Sequence, residues 1–218
     1  MSFLNKISPY IEIIHPFKFK DFITKNKDTK GLKPSFFNVA IATVISILFS
    51  ILQNTVLKKA LQENFPTDPT QALSAQQFLA LLNNVLSPEF IILNFFIAVV
   101  SFYALIYSFY LIIKLLGGKG NFNSHAYLLS VLYVSFTIVS LILTLVFFFY
   151  NSHQPDIFTA VLGFLILISI FYVLYNIVQL LHDLSWYKVI IALICFVVVT
   201  FIFTSALERA FLNLLLSV

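Results

Sequence analysis

The chain has 218 residues, of which 60% are hydrophobic and only 10% charged, with a formal net charge of +4. Soluble domains run at about 25% charged residues, and a water-soluble fold of this size has no interior for so much apolar side chain, so the solvent is lipid. The single cysteine, Cys195, lies in an apolar run, which excludes an intrachain disulfide, a Cys-X-X-Cys redox pair and a cysteine zinc site.

Residues 1–35 come first. Phe3, Leu4, Ile7, Tyr10, Ile11 and Ile14 recur at helical spacing, and Phe17, Phe19, Phe22 and Ile23 alternate with lysines. A cleavable signal needs a continuous apolar core ahead of a small-residue cleavage site, and this segment has none. It reads as a cytoplasmic basic amphipathic segment on the membrane surface, with its ammonium groups toward anionic lipid headgroups.

Residues 36–218 form the membrane domain. A spanning helix needs about 20 apolar residues to cross roughly 30 Å of hydrocarbon. Five runs qualify, at about 36–57, 89–116, 125–150, 157–181 and 186–207. They are continuous and lack the period-two alternation of barrel strands. Between the first two, Asp68-Pro69-Thr70-Gln71 reads as the start of a second surface helix, which lies on the membrane or caps the bundle. Ser87-Pro88-Glu89 reads as N-cap, first-turn proline and dipole-matching acid before the second span. The expected fold is therefore all-α, a polytopic bundle of five transmembrane helices with short interfacial amphipathic helices. Lys6, Lys18, Lys20, Lys25, Lys27, Lys30, Lys33, Lys114, Lys119 and Lys188 fall on one side, against Lys58, Lys59 and Arg209 on the other. The positive-inside rule makes the N-terminus cytoplasmic and the C-terminus extracytoplasmic.

The turn after the second span, Gly117-Gly118-Lys119-Gly120, invites comparison with a phosphate cradle. A nucleotide loop requires a preceding buried strand, the spacing G-x-x-x-x-G-K-[ST] and a magnesium-binding hydroxyl, and none is present. The expected role is a tight cytoplasmic turn and docking point, with Gly117 or Gly118 ending the helix in the left-handed conformation and Lys119 among lipid phosphates.

Catalytic motifs are lacking: there is no His-Glu-X-X-His helix, no Gly-X-Ser-X-Gly elbow and no intramembrane aspartate pair. His15, His125, His182 and Asp183 all fall on the cytoplasmic side, but without metal-ligand spacing they read as solvated interfacial side chains. The first four spans each carry a weakly polar stripe: Ala42, Ser46 and Ser50; Asn94, Ser101 and Ser108; Ser130, Tyr133, Thr137, Ser140 and Thr144; Ser169, Tyr172, Asn176 and Gln179. Such stripes read as packing seams, with Asn94, Asn176 and Gln179 as intramembrane polar contacts.

Two stretches resemble the Yip-one family of small five-span membrane proteins. "IIHPFKFKDFITKNKDTKGLKPSFF" is similar to that family's proline- and aromatic-containing entry segment. "LLGGKGNFNSHAYLLSVLYV" is similar to its glycine turn and the span that follows. In the third span "VSFTIV" stands where many members carry a proline. Eukaryotic members associated with Rab-type GTPases and vesicle traffic have a long soluble N-terminal region. With 35 residues before its first span, this chain is more similar to a prokaryote-type member, which implies a plasma-membrane location. The expected function is non-enzymatic, as a membrane organising or partner-docking component of transport or trafficking machinery; the alternative is a small oligomeric permease. The partners expected are the lipid bilayer and a membrane protein or second copy, with no nucleic acid and no cofactor.

Overall fold

A computed structural model describes residues 3–15, 18–28, 31–65, 69–150 and 157–216. The elements in order are α1 (Phe3–Glu12), α2 (Phe19–Lys25), α3 (Lys33–Glu63), α4 (Pro69–Val85), α5 (Pro88–Leu115), α6 (Phe122–Tyr150), α7 (Ile157–His182) and α8 (Trp186–Leu216). Among the described residues there is no strand. Five helices, α3 and α5 to α8, are long and apolar enough to cross a membrane. The protein is an all-α multi-pass membrane protein.

Local chemistry accounts for several boundaries. Ser87 Oγ accepts from the Phe90 N–H at 3.3 Å, with Pro88 at the first helical position and Glu89 in the first turn of α5. Asn121 does the same for α6: its Oδ1 accepts from the Ser124 N–H at 2.8 Å. That cap starts α6 at Phe122, ahead of the start expected at His125, and draws His125 into the helix. Asp68, the first residue of the expected helix start, lies outside the described residues, but α4 forms from Pro69. Two spans overrun their apolar limits: α3 continues to Glu63, where Lys59 and Glu63 pair at 3.8 Å, and α8 continues through Glu208 and Arg209. Hydropathy marks where lipid ends, whereas a helix continues until its backbone is capped.

The helix pair α3–α6 has the most extensive contact, while α5 packs on α8, α3 and α6, and α7 on α2, α8 and α6. Burial is concentrated at one end, around Phe109 and Ile113 of α5, Leu128 and Val131 of α6, Ile177 and Leu181 of α7, and Val189 and Ala192 of α8. Toward the other end Phe96, Val100, Phe164, Leu165, Phe201 and Ile202 are exposed, as side chains facing hydrocarbon are. The bundle is closed where the α5–α6 and α7–α8 turns meet.

The entry segment packs against the bundle. Ile13 of the α1–α2 connection and Phe19, Phe22 and Ile23 of α2 are buried, and Phe19 meets Tyr172 of α7 edge to face at 5.5 Å. Ser135 donates to the Tyr10 carbonyl at 2.8 Å, roughly 20 Å along α6 at 1.5 Å per residue. Ile11 and Ile14, counted in the apolar stripe, are exposed, and Ile13 takes the inward place. Helical spacing finds an apolar face but not the surface that it meets.

Candidate functional site

The glycine turn is built by three glycines with different jobs. Gly117 has φ +92°, the left-handed conformation that ends α5. Its N–H donates to the Lys114 carbonyl and that of Gly118 to the Ile113 carbonyl, both at 3.0 Å, the paired bonds of a Schellman cap. Gly118 is needed for space, since a Cβ there would lie 2.6 Å from Ile113 Cγ2 and 3.1 Å from His182 Cβ. At Gly120 a Cβ would lie 2.7 Å from both His182 Nδ1 and the Leu181 carbonyl oxygen. Two of the three are therefore fitted to the end of α7.

The fit is fastened by hydrogen bonds. The Lys119 N–H donates to the His182 carbonyl at 2.9 Å, Lys119 Nζ meets Asp183 Oδ2 at 2.8 Å, and Lys188 Nζ donates to the Leu116 carbonyl at 2.8 Å. Lys114 Nζ reaches the Lys119 carbonyl at 3.5 Å and lies 5.5 Å from the Tyr110 ring centre, while Tyr110 donates to the Gly120 carbonyl at 3.4 Å. Asp183 has φ 54°, a left-handed position that aspartate tolerates better than most residues. The Lys119 hydrogen bond, then its charge, holds the Asp183 carboxyl below its ordinary range; the same bond raises Lys119. Both side chains are largely exposed, so the pair orients the turns more than it stabilises them.

Beneath the turn lies a buried imidazole pair. His125 Nδ1 and His182 Nε2 are 3.0 Å apart, and both residues are 0% exposed. Phe109 and Tyr110 close around them, with Phe109 5.4 Å from His125 and Tyr110 5.9 Å from His182, ring centre to ring centre. The outer nitrogens, His125 Nε2 and His182 Nδ1, have no hydrogen-bond partner among the described residues. In either neutral tautomer one ring donates to the other, leaving one N–H and one lone pair unmatched. These two histidines are not the solvated interfacial side chains that the sequence suggests, because the Asn121 cap and the close glycine contacts carry both inside. Asp183 is exposed, and His15 is half-buried between α1 and α2. No group of three or more His, Cys, Asp or Glu able to hold a metal occurs among the described residues.

The expected polar contacts separate. Asn176, near the end of α7, is buried and donates to the Tyr172 carbonyl of its own helix at 2.7 Å. Gln179 is half-buried one turn further on, and Asn94 is half-buried near the start of α5, at the far end of the bundle. Thr137, Thr144 and Ser169 likewise bond the carbonyl four residues back. The cross-helix bonds come largely from residues outside the stripes. Asn38 accepts from Tyr10 at 2.9 Å and donates to Ser130 at 3.0 Å, while Ser35 accepts from Tyr103 at 3.1 Å and donates to the Ala126 carbonyl at 3.0 Å. A groove of about 280 Å³ between α3 and α6 is lined in part by Ser46, Tyr133, Thr137 and Ser140.

Comparison with known proteins places the chain. No curated protein and no solved structure matches it. The family model of the Yip1 domain matches residues 11–207, which include the α2 entry segment, the glycine turn, four of the five long helices and most of α8. With that match over most of its length, the chain belongs to the Yip1 domain family of membrane proteins.

Proposed function

We propose that the protein is a non-enzymatic membrane organising or docking component whose working surface is the cytoplasmic face formed by the α5–α6 and α7–α8 turns. The observation that carries this reading is the fastening of the two turns through Lys119, His182, Asp183, Lys188 and Leu116. That fastening holds exposed Leu115, Lys119, Asp183, Trp186 and Tyr187 on one preformed surface. A preformed surface binds without first losing the entropy of ordering it. The permease alternative needs Asn94, Asn176 and Gln179 around one route, which their positions at opposite ends of the bundle do not favour.

Purification of the full chain from mild detergent tests the proposal. A membrane protein partner or a second copy should be retained in fixed stoichiometry and lost from a Lys119→Glu/Trp186→Ala variant of normal thermal stability. A chain that stays alone and moves a solute across liposomes by itself would contradict it.

A further inference from the structure

We propose that the fastened turns form a headgroup site for an anionic phospholipid, with Lys114, Lys119 and Lys188 meeting its phosphate. The proposal deepens the docking reading by assigning one ligand to the same face.

All three lysines are tied to the turn by their own side chains, as described above. Lys27 comes from the end of α2, whose carbonyl accepts from Ser124 Oγ at 2.7 Å and Asn121 Nδ2 at 3.4 Å. The ammonium groups of three lysines thus meet at the two turns, and Lys27 is held beside them through its backbone carbonyl. Asp183 pairs with Lys119 there, and even with Asp28, next to Lys27 in sequence, the cations are in excess. Each ammonium has three donors, and each of the three tied lysines uses one in the bond described above, two of them on neutral carbonyls. The charge is held in place but not neutralised.

The surroundings favour a lipid over an acidic protein segment or a free anion. Leu115 is 87% exposed and Trp186 63%, and Tyr187 stands beside Trp186; all three flank the lysines at the ends of two spanning helices. Aromatic rings beside lysines at a span end are the arrangement of a membrane interface, where acyl chain and phosphate meet. A soluble anion would use the charges and leave Leu115 and Trp186 without a role.

The test uses the full chain in a zwitterionic detergent, with phosphatidylglycerol, phosphatidylcholine, inorganic phosphate and a polyglutamate peptide as separate probes. Phosphatidylglycerol should be retained selectively over phosphatidylcholine, in a salt-sensitive way. A Lys114→Gln/Lys119→Gln/Lys188→Gln variant should weaken that retention by at least about tenfold, since each surface lysine contributes appreciably to anionic-lipid attraction. The corresponding triple Lys→Arg variant should retain it, as should Lys58→Gln/Lys59→Gln at the opposite end of α3. The arginine variant keeps the test decisive if the glutamine variant does not fold: loss of selectivity there would overturn the proposal. So would equal retention of the two lipids by the native chain, or equally strong binding of phosphate or polyglutamate. Any of these failures leaves partner co-purification, the test of the docking reading, to stand or fall separately.

Discussion

Each glycine of the turn is required for a different reason, and substitution separates the reasons. Gly117→Ala places a side chain at φ +92° and should cost about 1–3 kcal/mol. Gly120→Ala drives a methyl against backbone, the Leu181 carbonyl, as well as against His182, and should cost at least as much. Gly163→Ala has nothing within 4 Å and sits in a helix, so it should be neutral or stabilising by up to about 1 kcal/mol. Unfolding midpoints in detergent rank the three. At the imidazole pair, His125→Leu or His182→Leu alone leaves a buried nitrogen without its partner and should cost about 1–3 kcal/mol. The double variant should cost less than the sum of the two, and additivity would show that the pair is not coupled. The Lys119–Asp183 pair has a wide pH window. Asp183, with its pKa lowered, contributes above the ordinary carboxylate value of 3.8 and loses that contribution as pH falls through the depressed one. Lys119, with its pKa raised, contributes below 10.5 and loses it only as pH rises beyond that. Between roughly pH 4 and 10 the fastening should therefore not titrate, so lipid retention that changed in this window would trace to other groups.

At the scale of the element, hydropathy and capping chemistry identify the five long helices, because lipid leaves a continuous apolar run with few alternatives to a helix. The glycine turn was readable for the same local reason: a Gly at C′ is a property of the chain near α5. Which polar residues meet was not readable. Asn38 stands one turn ahead of the Ala42, Ser46 and Ser50 stripe, so periodicity gives its face, but its partners Tyr10 and Ser130 are distant in sequence. His125 and His182 come from separate helices and meet only because Gly118 and Gly120 admit the end of α7. Long-range contacts of this kind depend on docking geometry that periodicity does not encode. Asn38→Leu should release both of its bonds and loosen the entry segment. At about 0.6 kcal/mol per interhelical bond, with an added penalty for the orphaned partners, the loss should be about 1–2 kcal/mol. Proteolysis near α1 should accelerate at the same time, whereas an unchanged rate would mean that α1 is held by its apolar contacts alone.

For the whole molecule, lipid as solvent explains why long stretches of α5, α7 and α8 are exposed while burial gathers where the two turns meet. The basic residues gather at that end too, so compactness, charge and the proposed working face coincide, and orientation decides whether a cytoplasmic partner or leaflet can reach them. The most direct measurement is labelling by a membrane-impermeant thiol reagent of Lys119→Cys and Lys58→Cys, each in a Cys195→Ala background, in right-side-out and inside-out vesicles. Lys119→Cys should react only in inside-out vesicles and Lys58→Cys only in right-side-out ones. Labelling of both from the same side, or with the pattern reversed, would contradict a fastened pair of turns facing the cytoplasm.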